Sequence, residues 1–478
     1  MKKYFILFAF LTAAISFAQK IENDSVTTFK KRVLDASEVD FLVSYYKQDG
    51  IHSPVSGGIG SENLTDIASD IIVTTPMNAD DVLTIDVGIS AYTSASSSNI
   101  NPFNGSGASG GGGGGDDDKA VTSPQGTPWL ASSGASAQDV LMNASGSYSH
   151  SSNDRNFIWN ANAALSNEFD YTSLGVGGGI AKLYNQKNTE LSLKANIYLD
   201  QWRPIYPTEL HEYAKYGNNF LVNGFFNGVT VYNQNGIHST AYLPNAFKTF
   251  SSVGRNSYSL SFSFSQILNK KWQGSIFFDI LQQQGLLSTP YHRIYFADKE
   301  NYYIGQRQYI PIYESQSNVG VYRLSDDIER LPNTRFKFPI GIRMNYYITE
   351  RFKLRTYYRY YADNWGIQSH TASIEIPIKL SDKYTIYPMY RYYEQNATKY
   401  FAPFETHLST EKYYTSDYDL SKFSNNQYGF GISYVDIFTS AQFFNLGLKN
   451  IDFRYNHYVR SDGLIANIVT FGFKFIVQ

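Results

Sequence analysis

The stretch Arg255–Gln284, RNSYSLSFSFSQILNKKWQGSIFFDILQQQ, decides the fold. Its even positions Tyr258, Leu260, Phe262 and Phe264 are apolar, and Ser257, Ser259, Ser261, Ser263 and Ser265 fill the odd ones. A period of two puts every apolar group on one face of an extended strand. Asn269-Lys270 reads as a short turn, after which Trp272, Ile276, Phe278 and Ile280 resume the scheme against Gln273, Ser275, Asp279 and Gln283. A soluble sandwich also alternates, but it gives connector lengths no reason to differ by parity. A barrel in an outer membrane does, with short turns at one rim and long loops at the other.

Outward from this hairpin, sixteen strands are expected near 38–49, 62–76, 81–96, 136–152, 155–168, 172–184, 188–202, 255–268, 271–284, 334–348, 351–362, 367–380, 383–397, 425–437, 442–457 and 464–478. Connectors after even-numbered strands are all short, at 77–80, 153–154, 185–187, 269–270, 349–350, 381–382 and 438–441. Every long one follows an odd-numbered strand, near 97–135, 203–254, 285–333 and 398–424. A missed or invented strand would break this parity, so the fold class is all-β: a transmembrane antiparallel up-and-down β-barrel of about sixteen strands. In the fifteenth strand Leu446 and Leu448 share a face and the apolar set then moves to Ile451, Phe453 and Tyr455, which reads as a β-bulge near Lys449-Asn450. The last segment places Val469, Phe471, Phe473, Phe475 and Val477 on one face, suited to a closing strand handled by outer-membrane barrel assembly machinery, although it ends at Gln478 rather than an aromatic residue.

Lys2 and Lys3 precede an apolar run from Tyr4 to Ile15, and Ser16-Phe17-Ala18 follows with small residues where a signal peptidase reads. Residues 1–18 are therefore expected to be a signal peptide, 19–37 a periplasmic lead and 38–478 the barrel, in the outer membrane of a Gram-negative cell. No later stretch approaches the roughly 20 apolar residues of a spanning helix. The absence of Cys excludes a lipoprotein anchor, disulfides and thiolate chemistry. The chain carries 40 Tyr, 33 Phe and 5 Trp, more than a soluble core requires and in keeping with aromatic girdles at two membrane interfaces. A net charge of -2 argues against a nucleic-acid partner.

Several motifs together carry a family likeness: Gly58–Asp66 (GIGSENLTD), Asp86–Ser97 (DVGISAYTSASS), Ala131–Gln138 (ASSGASAQ), Ser288–Phe296 (STPYHRIYF) and Tyr357–Thr371 (YYRYYADNWGIQSHT). With them the chain resembles an uncharacterised outer-membrane barrel family, domain-of-unknown-function family 3570, common in Bacteroidota. The resemblance implies a barrel and carries no site residues. It also implies redox company, since such proteins are often encoded near flavin-transferase and thioredoxin-like periplasmic proteins.

The lumen is where a barrel of this size sets its selectivity. By parity one wall is basic, with Arg335, Lys337 and Arg343 on the tenth strand, Arg351, Lys353, Arg355 and Arg359 on the eleventh, then Lys379 and Arg391, and with Glu375 the one acid nearby. The opposing wall is acidic, with Asp40, Asp66, Asp70 and Asp86 on the first three strands. A transverse field across the lumen follows if these charges stay free, and none follows if they pair with one another, with loops or with water. The loop 285–333 is unusually aromatic, with Pro290, Tyr291, His292, Arg293, Tyr295 and Phe296 followed by Tyr302, Tyr303, Tyr309 and Tyr313. It is expected to have a packed role, as a plug, as a docking surface or against neighbouring loops at the rim.

Other motifs carry less. The run Gly110–Gly115 before Asp116-Asp117-Asp118 lacks the ligand offsets of a calcium loop and reads as a flexible tip. Lys119 follows aspartates rather than a glycine, so no P-loop is present. Six of the eight histidines (His52, His211, His238, His292, His407 and His457) map to the outer side, but no pair has zinc-like spacing, so no metal site is expected. No diagnostic Ser/His spacing marks a hydrolase. The sequence thus points to a non-enzymatic barrel without cofactor, most simply a porin-like channel for small polar or anionic solutes. The alternative is a loop-plugged barrel serving as a binding or assembly platform for a surface or periplasmic partner, with a redox link conceivable. Either contacts outer-membrane lipid and, during biogenesis, the assembly machinery.

Overall fold

The structure, a computed structural model, describes residues 31–94, 138–312 and 321–478. The proposed signal peptide and the Gly-Asp tip lie outside these residues. One closed antiparallel ring of sixteen strands dominates. They are β1 (Glu38–Asp49), β2 (Leu64–Pro76), β3 (Asp81–Ser94), β4 (Gln138–Ser151), β5 (Phe157–Asn167), β6 (Tyr171–Tyr184), β7 (Thr189–Trp202) and β8 (Gly254–Ile267). There follow β9 (Trp272–Gly285), β10 (Thr334–Tyr347), β11 (Lys353–Asp363), β12 (Gln368–Glu375 with Ile378–Lys379), β13 (Tyr384–Gln395), β14 (Phe423–Val435), β15 (Leu446–Arg460) and β16 (Ile465–Val477). All sixteen expected strands are present. Each pairs with its chain neighbours, and β1 closes the ring on β16 from Glu38↔Ile476 to Asp49↔Ile465.

Two details separate pattern from structure. The bulge falls where the apolar set changes face: the β15–β16 register shifts between Leu448 and Asn450, which leaves Lys449 as the extra residue. The fifteenth strand, however, begins at Leu446 rather than 442, because Phe444 takes a left-handed conformation (φ 53) and folds Gln442-Phe443 back onto Leu446-Gly447.

The outward face is apolar and uncovered. Ile85, Val87 and Ile89 on β3, Leu174, Val176 and Ile180 on β6, and Phe336, Phe338, Ile340 and Ile342 on β10 are all exposed. Contiguous exposed apolar area on this scale marks a lipid-contacting band. The buried core lies elsewhere. Phe220, Phe226, Tyr242, Tyr302, Ile304, Tyr322 and Leu324 form one cluster, Leu210, Phe247 and Ile328 a second, and Ile294, Phe296 and Tyr414 a third. All of them belong to the long loops 203–253, 286–333 and 396–422.

These loops build a folded cap at one rim. Among the described residues it contains one α-helix, α1 (Thr208–Tyr216), short 3-10 turns, and two small sheets, the larger pairing Tyr302–Gly305 with Val321–Leu324 and Tyr232–Asn233. The β1–β2 loop joins it through glycine: a Cβ on Gly57 would lie 2.8 Å from the Tyr295 ring, and one on Gly58 2.5 Å from the Ser416 carbonyl. Both sit at positive φ, 80 and 93. Glycine is the residue that meets both demands.

Deleting Lys449 removes the bulge, so Leu446 and Leu448 would turn to the lumen face or lose their pairing with β16. We expect the deletion to abolish the heat-modifiable electrophoretic migration of a folded barrel. Lys449→Ala, which loses only the ion pair to Glu38 (2.5 Å), should retain it.

Candidate functional site

Strand register sets the lumen wall in rows. One row runs Ser275, Arg343, Tyr357, Ser373, Arg391, Gln427 and Tyr458 across β9 to β15. The row toward the loop rim holds Gly341, Arg359, Thr371, Tyr393, Asn425 and Arg460, and that toward the turn rim Asn345, Arg355, Glu375, Met389, Gly429 and Asn456. Arg343 is held by rings rather than acids, its guanidinium lying 5.0 Å from the Phe277 centroid and 5.5 Å from that of Tyr357. Gly341 makes this arrangement, because a Cβ there would strike Phe277.

The predicted basic wall divides into three. Near the loop rim Arg335 is neutralised, bonding Asp363 at 2.5 and 2.9 Å and lying over Trp365, with Lys337 beside it. Near the turn rim Arg355 and Arg454 share Glu375, at 2.7 and 3.3 Å, while Arg454 also bonds Asp452. Lys379, at that rim, pairs with Asp382 in the adjoining turn. Between these, Arg343, Arg359 and Arg391 have no carboxylate partner among the described residues, and the Arg359 Nε is buried without an acceptor. A cavity of ≈ 370 Å³ opens beside this middle group, lined by Gln273, Ser275, Arg343, Asn345, Arg355 and Glu375. Water access falls steeply along the wall: the Arg355 side chain is 49% exposed and that of Asp363 0%.

Opposite, the acidic wall is partly spent. Asp40 lies 3.4 Å from the Lys474 Nζ, in a cluster where Lys449 and Lys474 also pair with Glu38. Asp66 accepts a hydrogen bond from Ser90 at 2.6 Å. Asp70 and Asp86 face the lumen with no ion pair among the described residues, and one Asp86 oxygen is buried without a donor. In a ring of sixteen, β2 stands across from β10.

The aromatic loop is cap core. Arg293, Ile294, Tyr295, Phe296, Tyr302 and Tyr303 are all buried, whereas Tyr309 is exposed and Tyr313 falls outside the described residues. Arg293 donates to Glu209 at 2.9 Å and to the Val55 carbonyl at 3.2 Å, so one guanidinium ties three loops together. The carboxylate of Glu209 also accepts from the Ser325 hydroxyl at 2.8 Å. Burial pushes the carboxyl of Glu62 up to about 7, against the opposing pull of Arg460. Burial likewise raises Asp326 to about 6. The histidines divide: His52 stacks on Tyr418, and His407 bonds Glu411 at 2.7 Å and the Thr415 carbonyl at 3.0 Å. His292 instead meets Glu329 and Asp417, the group among the described residues that could hold a metal ion.

Parity alone would have found Arg454, which alternates with Phe453 and Tyr455. Nothing in the sequence marks Asp363 as the partner of Arg335, nor Glu329 and Asp417 as neighbours of His292.

A closed sixteen-strand ring with an apolar belt, a charged lumen and a folded cap defines an outer-membrane type of β-barrel. The family described as "Protein of unknown function (DUF3570)" matches residues 7–467, and the chain belongs to it. No curated protein sequence matches. Among solved structures, a bacterial polysaccharide outer membrane secretin is similar at TM-score 0.41 and 9% identity, covering 93% of this chain and 99% of that one. A BenF-like porin from Pseudomonas fluorescens Pf-5 gives 0.37 and 7%, covering 93% and 100%. The TodX monoaromatic hydrocarbon channel gives 0.38 and 8%, covering 93% and 90%.

Replacing Arg293 with Met leaves Glu209 as a buried charge without its cation, a loss of roughly 3–5 kcal/mol for such pairs. Limited chymotrypsin digestion of the folded barrel should then cut within 203–253 and 286–333 while the strands stay protected. The cap should also respond to pH. Glu62 and Asp326 have pKa values raised above those of the unfolded chain, so between roughly pH 4 and 7 the native state binds more protons and stability falls as pH rises. Cap protection should therefore be greater at pH 5 than at pH 8, and Glu62→Gln with Asp326→Asn should flatten the difference.

Proposed function

We propose that the chain is a gated outer-membrane channel for small anionic or polar solutes. The observation that carries this reading is the middle of the basic wall, where Arg343, Arg359 and Arg391 point into the lumen with no carboxylate partner among the described residues, and where Arg343 lines the ≈ 370 Å³ cavity that Arg355 and Glu375 bound on its turn-rim side. Charged side chains in a pore are usually neutralised in place, and those that are not act on whatever enters. Asp70 and Asp86 on the far wall extend this into a transverse field that would align dipolar solutes. The rings of Phe277 and Tyr357 hold Arg343 without consuming its charge. Gating falls to the cap, whose loops join across the loop rim through Arg293, Gly57 and Tyr414. The role is passage rather than catalysis.

One observation favours a second reading. A cap with its own buried core and a paired Arg293–Glu209 link is a stable folded body, as a platform for a surface or periplasmic partner would require. In that reading the barrel is an anchor in outer-membrane lipid and the lumen charges only solvate it.

Planar-bilayer recording of the purified barrel separates the two. Steps that favour anions, with the preference lost in Arg343→Ala and Arg391→Ala, support the channel. Absence of conductance from both the intact protein and an Arg293→Met variant with a loosened cap would sink it and leave the platform.

A further inference from the structure

We infer that the cap holds a divalent-cation site of the zinc type, made by His292, Glu329 and Asp417. Each offers one ligand atom, and these atoms all lie within 4.8 Å of one another. The His292 Nδ1 is 3.6 Å from the Glu329 Oε2, beyond hydrogen-bond length. That nitrogen is nevertheless sealed from solvent and has no hydrogen-bond partner. Around a tetrahedral ion with bonds near 2.1 Å, neighbouring ligand atoms stand about 3.4 Å apart. The imidazole and Glu329 stand close to that separation at 3.6 Å, and the Asp417 oxygen lies within 4.8 Å of both.

Charge makes the same case. Glu329 is 2% exposed, and among the described residues neither it nor Asp417 has a Lys or Arg ion-pair partner. The nearby Arg460 is committed to Asp419 and Asp462, at 2.5 Å each. A protonated imidazole would balance one of the two carboxylates that face it, whereas a dication on the neutral ring balances both.

The ligands are also held from behind. Glu329 accepts from the Thr415 hydroxyl at 2.6 Å and the Thr289 amide at 2.7 Å. The same Thr415 hydroxyl accepts from the Asp417 amide at 3.1 Å, and the Glu329 amide bonds the His292 carbonyl at 2.8 Å. Metal sites carry this kind of outer support. One imidazole with two carboxylates suits zinc better than calcium, which takes six to eight oxygens. Because His292 and Glu329 come from loop 286–333 and Asp417 from loop 396–422, the ion would fasten the two loops across the rim. The site is independent of whether the lumen conducts.

The test uses the full barrel refolded in detergent after chelation. Titrated Co²⁺ should give the strong visible bands of a four-coordinate ion at one equivalent, and Zn²⁺ should bleach them. His292→Ala and Asp417→Asn, checked for folding by heat-modifiable migration, should weaken binding by more than tenfold, with the exposed His238→Ala unchanged. Zinc absorption-edge spectroscopy of the wild-type barrel should count one imidazole, a readout that needs no variant to fold. No stoichiometric uptake, uptake that survives His292→Ala, or a ligand set with no imidazole or several would overturn the site. The His292–carboxylate group would then be an ordinary ion pair.

Discussion

A backbone inside hydrocarbon has no water to satisfy its N–H and C=O groups, and the β1–β16 pairing is how this chain meets that constraint. Closure leaves no edge strand, and it dictates much else. Each strand must present alternate faces to lipid and lumen, so Lys449 has to bulge out where the alternation would otherwise invert. The break in β12 falls at Pro377, where no N–H is available to donate, yet its carbonyl still accepts from Lys353 at 3.1 Å. Lipid covers the outward Ile, Val and Phe side chains, so these strands need no protein core behind them.

The core has been moved to the cap. Loops on a soluble scaffold run over a surface, but those at this rim are long enough to bury Phe220, Phe226, Ile304 and Tyr322 among themselves. Such loops bury charge only with partners at hand, and the cap shows this in Arg293 with Glu209 and in Arg323 between the rings of Tyr295 and Phe404. At His292 two carboxylates, Glu329 and Asp417, face one imidazole, the reason a cation site is inferred there.

Along the basic wall the same balance changes with water. Arg335, dehydrated beneath the cap, needs Asp363; Arg355, half in water, shares Glu375 with Arg454. Arg343 and Arg391 lie between, where hydration and aromatic faces suffice to hold a guanidinium. Selectivity, if the lumen passes solutes, would reside in that intermediate zone, since paired charges exert little field on a passing ion.

Much of this was legible beforehand, and the limits are physical. Strand number, closure, the bulge and the inward direction of Arg343, Arg355, Asp70 and Asp86 all follow from a period of two, because lipid on one side and water on the other impose it residue by residue. Arg454 was equally readable. The cap was not: Tyr303, Phe220 and Tyr414 occur at no period, and what buries each is a residue from a distant loop. Which charges are paired was also unreadable, since parity says that Arg335 and Arg391 both point inward but not that Asp363 waits for one while the other has no carboxylate partner among the described residues. By itself the sequence determined a barrel and the direction of its side chains, through local alternation. The tertiary structure decided which charges meet, what covers the rim and where His292 finds its carboxylates, because those depend on long-range contacts that no local pattern encodes.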